Sequence, residues 1–229
     1  MAFTAADVKK LREMTSVGMM DCKKALTEAD GDFDKAIELL REKGLAKAAK
    51  KADRIAAEGL VKATVCDECG VGAIIEVNSE TDFVAKNADF QQFVSDVANV
   101  VIKDAPADVE ALKACKMGEG TVQDALQEKV LTIGENLQIR RFERFDDSTV
   151  NVAYNHMGGV IGVLVGLEVS EGLKDNAAVK ELGKDIGMQA AAMNPSFLDK
   201  SDVDEATLAK EKEILLIQAL EENKTAAKP

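Results

Sequence analysis

The apolar positions of this chain change period several times, and each change marks an element. Val8, Leu11 and Met14 recur at helical spacing, behind a Thr4-Ala5-Ala6-Asp7 stretch that resembles a capping box with Asp in place of Glu. After Gly18 the pattern predicts a second helix over about 19–29, with Met20, Ala25 and Leu26 inward. Asp30-Gly31-Asp32 turns the chain into a third, carrying Phe33, Ala36, Ile37 and Leu40 on one stripe and closed by Gly44. Three short helices make a small bundle with little core of its own. The Met19-Met20 pair either plugs that core or faces a partner, as adaptable Met side chains can do both. Residues 45–54 carry Lys47, Lys50, Lys51 and Arg54 among alanines. This run reads as a basic linker with helix propensity, too short to argue for a nucleic-acid site.

From 57 onward the period falls to two. Residues 60–65 and 71–77 predict an antiparallel hairpin across Cys66-Asp67-Glu68-Cys69-Gly70. A helix follows with Phe90, Phe93, Val94, Val97, Val100 and Val101, broken at Asp104-Ala105-Pro106. Helices over 109–116 and 121–131 come next, then Gly134-Glu135-Asn136 and an alternating strand over 137–145 with a wet, basic face. Residues 150–154 and 160–169 predict a second hairpin, followed by a helix over about 176–193 that stops at Asn194-Pro195. The order strand, turn, apolar strand, polar loop, long helix thus occurs twice, as in an internal duplication. The second copy has no closing strand. A helix over 202–223 with Leu208, Ile214, Leu215, Ile217 and Leu220 takes its place, ahead of a polar end at Thr225-Ala226-Ala227-Lys228-Pro229.

The expected fold class is therefore α+β. The units are a three-helix bundle (1–44), a basic linker (45–56), a first core subdomain (57–146), a partial second one (147–200), and a helix with tail (201–229). An incomplete repeat and an unpartnered apolar helix suggest a chain cut short.

Between the first hairpin and its helix lies Thr81-Asp82-Phe83-Val84-Ala85-Lys86-Asn87. Phe83 and Val84 stand among turn and cap residues: Asn78, Ser79, Thr81, Asp82 and Asn87. A Phe on such a connection is either tucked into its own core or held outward as an anchor. Spacing alone favours the first.

Charge and composition narrow the classes. The 229 residues carry a net charge of -12, against a nucleic-acid binder. Residues 1–54 hold 12 Lys+Arg against 10 Asp+Glu and the remainder 17 against 31, so the N-terminal part is electrostatically distinct. No apolar window has membrane-spanning length and the N-terminus lacks a signal-peptide pattern; a cytoplasmic protein with free thiols is expected. One His and no Trp leave little imidazole chemistry. No phosphate-loop or dinucleotide fingerprint is present, and the glycines at 158, 159 and 162 lie in a hairpin. No nucleotide, metal or other cofactor is expected to bind directly, and no enzyme activity. Cys66-x-x-Cys69 lacks a second short-spaced pair for zinc, leaving a chance pair as the simpler reading beside a zinc or thiol protein. His156, in a turn, is either merely exposed or a partner contact.

Three pieces, taken in order, carry a resemblance: Gly18-Met19-Met20-Asp21-Cys22-Lys23-Lys24-Ala25-Leu26, the 78–87 stretch, and Ile133-Gly134-Glu135-Asn136-Leu137. Together they resemble bacterial elongation factor Ts over essentially the whole chain. The resemblance implies a ubiquitin-associated-like bundle, a duplicated αβ core, and a helical hairpin whose first arm the last helix represents. It implies a guanine-nucleotide exchange factor promoting GDP release from elongation factor Tu, in its GDP-bound and nucleotide-free forms, with room for a homodimer. By resemblance, Asp82 and Phe83 enter the partner's nucleotide domain near its magnesium, within the 78–87 signature that includes Thr81, Val84 and Asn87. Arg12, Met19, Met20 and Lys23 bind the same domain, and His156 touches the partner elsewhere. The rival reading is a helix-binding module of the ubiquitin-associated type without exchange activity.

Overall fold

A computed structural model describes residues 3–15, 17–51, 54–146 and 148–226, with the side chains of 45–50 and 224–226 left aside. Of the sequence expectations, the Lys47 and Lys50 side chains and the end at Ala227-Lys228-Pro229 lie outside the described residues. The fold is α+β, as expected. Residues 1–191 form one compact unit and 192–229 another.

In the first unit, α1 (Ala5–Thr15), α2 (Met19–Glu28) and α3 (Phe33–Lys51) form the bundle. The expected capping box is present: the Thr4 amide donates to Asp7 Oδ2 at 2.7 Å and the Asp7 amide to Thr4 Oγ1 at 3.4 Å. Val8, Leu11, Val17, Cys22, Ala25, Leu26, Ala36 and Leu40 fill the bundle core. Two expectations fail here. Met20 is exposed, at 64%, not inward, and Met14, on the helical spacing of α1, is exposed as well. Cys22 takes the inward place on α2, because residues 22, 25, 26 and 29 recur at the spacing of one helix face and Met20 falls off it. Gly44 does not end α3. It sits buried in mid-helix, where an added Cβ would lie 3.2 Å from Leu131. Its missing side chain permits the close approach of α3 to the helix over Val122–Ile133, and Leu131 in turn packs on the bundle core.

The strands β1 (Glu58–Val65), β2 (Gly72–Ser79) and β5 (Gln138–Phe145) form an antiparallel sheet of order β1-β2-β5. Its central strand turns Ala73, Ile75 and Val77 to one face, all essentially buried. Against that face pack α5 (Ala88–Asp104) and α7 (Val122–Ile133), through Phe90, Phe93, Val94, Val97, Val122 and Leu126. A short turn of helix, α4 (Asp82–Ala85), precedes α5, and α6 (Val109–Ala114) precedes a ribbon of two-residue strands, β3 (Lys116–Met117) and β4 (Gly120–Thr121), that the periodicity did not foresee. The register of β2 with β5 shifts between Glu76 and Val77. Around this bulge Arg140 and Arg141 both reach the Glu76 carboxylate, at 3.5 and 2.7 Å, forming part of the wet basic face that alternation predicted.

The second hairpin, β6 (Val150–His156) with β7 (Ile161–Leu167), is a sheet of two strands. It wraps the free edge of β1. Asn155 offers its amide as a strand would: Oδ1 accepts from the Ala63 amide and Nδ2 donates to the Ala63 carbonyl, both at 2.8 Å. The Val61 amide donates to the Gly159 carbonyl at 2.8 Å. An edge strand with unpaired groups is thus covered. On the far side of the hairpin lies α8 (Ala177–Met193). It approaches closely because Gly183 and Gly187 face Val152 and Tyr154, where an added Cβ would come within 2.5 and 2.9 Å.

The second unit holds the last helix, α9 (Glu205–Ala226), with Leu215, Leu216 and Ile217 exposed in succession.

Candidate functional site

The connection from β2 to α5 is fastened at three levels. At its start, Ser79 is fully buried and its hydroxyl donates to the Thr81 carbonyl at 3.0 Å. Next, Glu135 from the turn between α7 and β5 receives the loop. Its Oε2 accepts the amides of Glu80 and Thr81, each at 3.0 Å, and its Oε1 accepts the Thr81 hydroxyl at 2.7 Å. Glu80 answers in the opposite direction. Its carboxylate accepts the Asn136 amide at 2.7 Å and lies 3.5 Å from the Arg54 guanidinium, while Asn136 Nδ2 donates to the Arg54 carbonyl at 2.8 Å. Each loop therefore contributes a carboxylate that satisfies the other loop's backbone. Charge-assisted bonds of this kind are the stronger ones. Beneath them Lys51, at the end of α3, donates to the Gly134 carbonyl.

At the far end, Asn87 caps α5. Its Oδ1 accepts from the amides of Asp89 and Phe90, at 2.8 and 3.2 Å. The Phe90 that follows is fully buried. Gln91 Nε2 adds a bond to the Ala85 carbonyl at 3.0 Å.

Between these fixed ends stands the single turn α4. Val84 points inward at 7% exposure and joins the sheet–helix core. Its neighbour Phe83 points outward at 78% exposure. Consecutive residues on a helix lie about 100° apart, so one anchored side chain fixes the direction of the other. Of the two sequence alternatives for Phe83, the outward one holds. Asp82 is exposed and bridges Lys86 at 2.7 Å. That contact, first as a hydrogen bond and then through charge, holds the Asp82 carboxyl below its ordinary value. Lys86 Nζ also sits 5.9 Å from the Phe83 ring centre.

The remaining candidates are distributed. Arg12 lies exposed on α1, and Met19, Met20 and Lys23 are exposed on α2. Of the two readings of the Met pair, the structure excludes the core plug. His156 is not in the turn proper. It ends β6 opposite Ile161, half-buried, with Nδ1 2.8 Å from the Tyr154 hydroxyl. The tip beyond it exposes Met157 and Val160. The register puts this tip toward the α4 end of the molecule, since Gly159 bonds Val61 and Ser79 pairs with Glu58 three positions away.

Sequence reasoning missed Glu80, Glu135, Asn136 and Arg54. The 133–137 motif carries the family resemblance, but its spacing assigns Glu135 and Asn136 no role. The signal lay in two acids flanked by turn residues, Glu80 and Glu135, whose pairing spans 55 positions. Among the described residues no group of three or more His, Cys, Asp or Glu could hold a metal ion, and no helix is long and apolar enough to cross a membrane.

The comparisons with known proteins bear on the same stretch. Residues 80–228 match the family model described as "Elongation factor TS". The chain is 52% identical over 223 residues to the elongation factor Ts of Clostridium perfringens (strain 13 / Type A), covering 96% of this chain and 73% of the relative.

The chain belongs to the elongation factor Ts family.

Other relatives agree. The elongation factor Ts of Syntrophotalea carbinolica is 51% identical over 227 residues, covering 98% of this chain and 74% of the relative. That of Clostridioides difficile is 50% identical over 224 residues, covering 97% and 73%. Membership of the elongation factor Ts family places the chain among translation factors of protein biosynthesis, and the family match begins at Glu80, inside the fastened loop.

Proposed function

We propose that this chain is a guanine-nucleotide exchange factor that accelerates GDP release from elongation factor Tu. The observation that carries the proposal is Phe83, a large apolar ring exposed on a turn that Val84, Glu135 and Asn87 hold in place. Presenting a ring to water forgoes roughly 1.5–3 kcal/mol of burial, and a pre-fixed turn lowers the ordering cost of docking it.

The chemistry is non-covalent. Phe83 enters between packed elements of the partner's nucleotide domain. Asp82 leaves Lys86 and competes for hydrogen bonds there. The magnesium that clamps the β-phosphate loosens, and GDP loses a main source of its affinity. Binding of this factor and of GDP are then reciprocally antagonistic, each weakening the other by the same factor. Arg12, Met19, Met20 and Lys23 supply a second contact from the bundle, and His156 a third from the β6–β7 tip. No bond of the nucleotide is broken, so this chain is no enzyme in the covalent sense.

The direct experiment mixes elongation factor Tu carrying fluorescent GDP with an excess of unlabelled GDP, with and without this chain. Accelerated release at substoichiometric chain supports exchange. A stable complex with no acceleration would replace it by a helix-docking module built on the exposed Met19 and Met20.

A further inference from the structure

Cys66 and Cys69 lie in the turn joining β1 to β2, at the end of the hairpin opposite Glu58 and Ser79. At roughly 3.3 Å per residue this is about 23 Å along the strand from the α4 end. The turn is closed at both ends. The Cys66 amide donates to the Val71 carbonyl and the Gly70 amide to the Cys66 carbonyl, both at 2.9 Å. The Gly70 carbonyl is held from outside by Asn151 Nδ2 at 2.9 Å, and the same nitrogen reaches the Phe145 carbonyl at 3.1 Å. Residues three apart across such a helical-type turn share a face. The Cys69 amide indeed donates to Cys66 Sγ at 3.2 Å.

The four thiols divide into two kinds. Cys22 is fully buried, with Sγ donating to the Val17 carbonyl. Cys115 donates to the Ala111 carbonyl, and burial pushes its thiol up. Cys66 is half-buried and Cys69 exposed. The Cys69 thiol and then its amide hold the Cys66 thiol below its usual value, against burial and the nearby Glu68 carboxylate. A reachable thiol with a hydrogen-bonding neighbour is the arrangement of a nucleophilic cysteine beside a resolving one.

We propose that Cys66 and Cys69 form a thiol-exchange site that reduces small-molecule disulfides and is left as a disulfide within the turn. The Cys66 thiolate attacks one sulfur of the oxidant. The oxidant's S–S bond breaks, and its first half leaves as a thiolate that takes up a proton. Cys69, its proton given to solvent, attacks Cys66 Sγ and displaces the second half, which is likewise protonated. Two electrons and two protons pass from the protein to the disulfide.

The test equilibrates the full chain with reduced and oxidised glutathione at a series of ratios, quenches with acid, alkylates after unfolding and maps the cysteines by mass spectrometry. Cys66 and Cys69 are expected to be lost together as one disulfide, at ratios where Cys22 and Cys115 remain alkylatable. Cys69→Ser is expected to stop at a Cys66–glutathione mixed disulfide, and Cys66→Ser to react more slowly at Cys69. Both thiols staying reduced at every ratio, each taking up glutathione independently, or earlier oxidation of Cys22 or Cys115 would each overturn the proposal.

Discussion

The Glu135 carboxylate holds Thr81 twice, by its hydroxyl at 2.7 Å and its amide at 3.0 Å, across 54 residues of sequence. The bond matters because Thr81 immediately precedes the turn that carries Phe83. Glu135→Ala removes the acceptor for three donors. Hydrogen bonds to a charged group contribute about 1.5–3 kcal/mol, so the substitution should lower stability by that order in a denaturant titration. It should also raise hydrogen exchange at the Glu80 and Thr81 amides and slow GDP release, with the α5–α7 core still protected.

Val84 and Phe83 should separate stability from function. Val84→Ala opens a gap under the turn and is expected to cost about 1–3 kcal/mol, measured as a shift in the denaturation midpoint. A Val84→Ala variant as stable as the parent would mean that the turn is not anchored there.

Much of this was legible in the chain. The polar company of Phe83 marked a connection, and the helix periodicity after Asn87 fixed where the core resumed. The apolar–polar alternation over 137–145 foretold one wet strand face, and the bulge at Arg140 brings the adjacent Arg140 and Arg141 together on Glu76. What escaped has physical causes. Met14 and Met20 sit at positions helical spacing allows inward, yet the small bundle is filled by Cys22, Ala25 and Leu26. Gly44 looked like a stop because its contact is Leu131, far along the chain. Asn155 gave no hint of serving β1 as a substitute strand, since a side-chain amide leaves no trace in hydrophobic period. The Glu80–Glu135 exchange is likewise a pairing of distant polar residues.

The Asp82–Lys86 bridge predicts a titration. A depressed folded-state value means that ionised Asp82 favours the turn above its ordinary 3.8, and that this contribution is lost as pH falls through the folded value. Carboxyl NMR should find Asp82 titrating below 3.8, and Lys86→Met should return its midpoint upward. Equal midpoints in the two proteins would remove the bridge from solution.

Gly183→Ala tests the seating of α8. The new Cβ would meet Val152 Cγ2 at 2.5 Å. Overpacking of this kind typically costs about 1–3 kcal/mol, so a lowered thermal midpoint is expected, with exchange protection lost first in α8 and the β6–β7 hairpin. An unchanged midpoint would show that helix and hairpin have room to part.

The measurement that bears most directly on the central claim is stopped-flow release of fluorescent GDP from elongation factor Tu, driven by the Phe83→Ala variant beside the parent chain. Loss of a ring worth roughly 1.5–3 kcal/mol of burial corresponds to about tenfold or more in rate at saturating nucleotide. The account predicts that loss with no change in thermal midpoint, because the ring is outside the core. Release as fast as with the parent chain would contradict it.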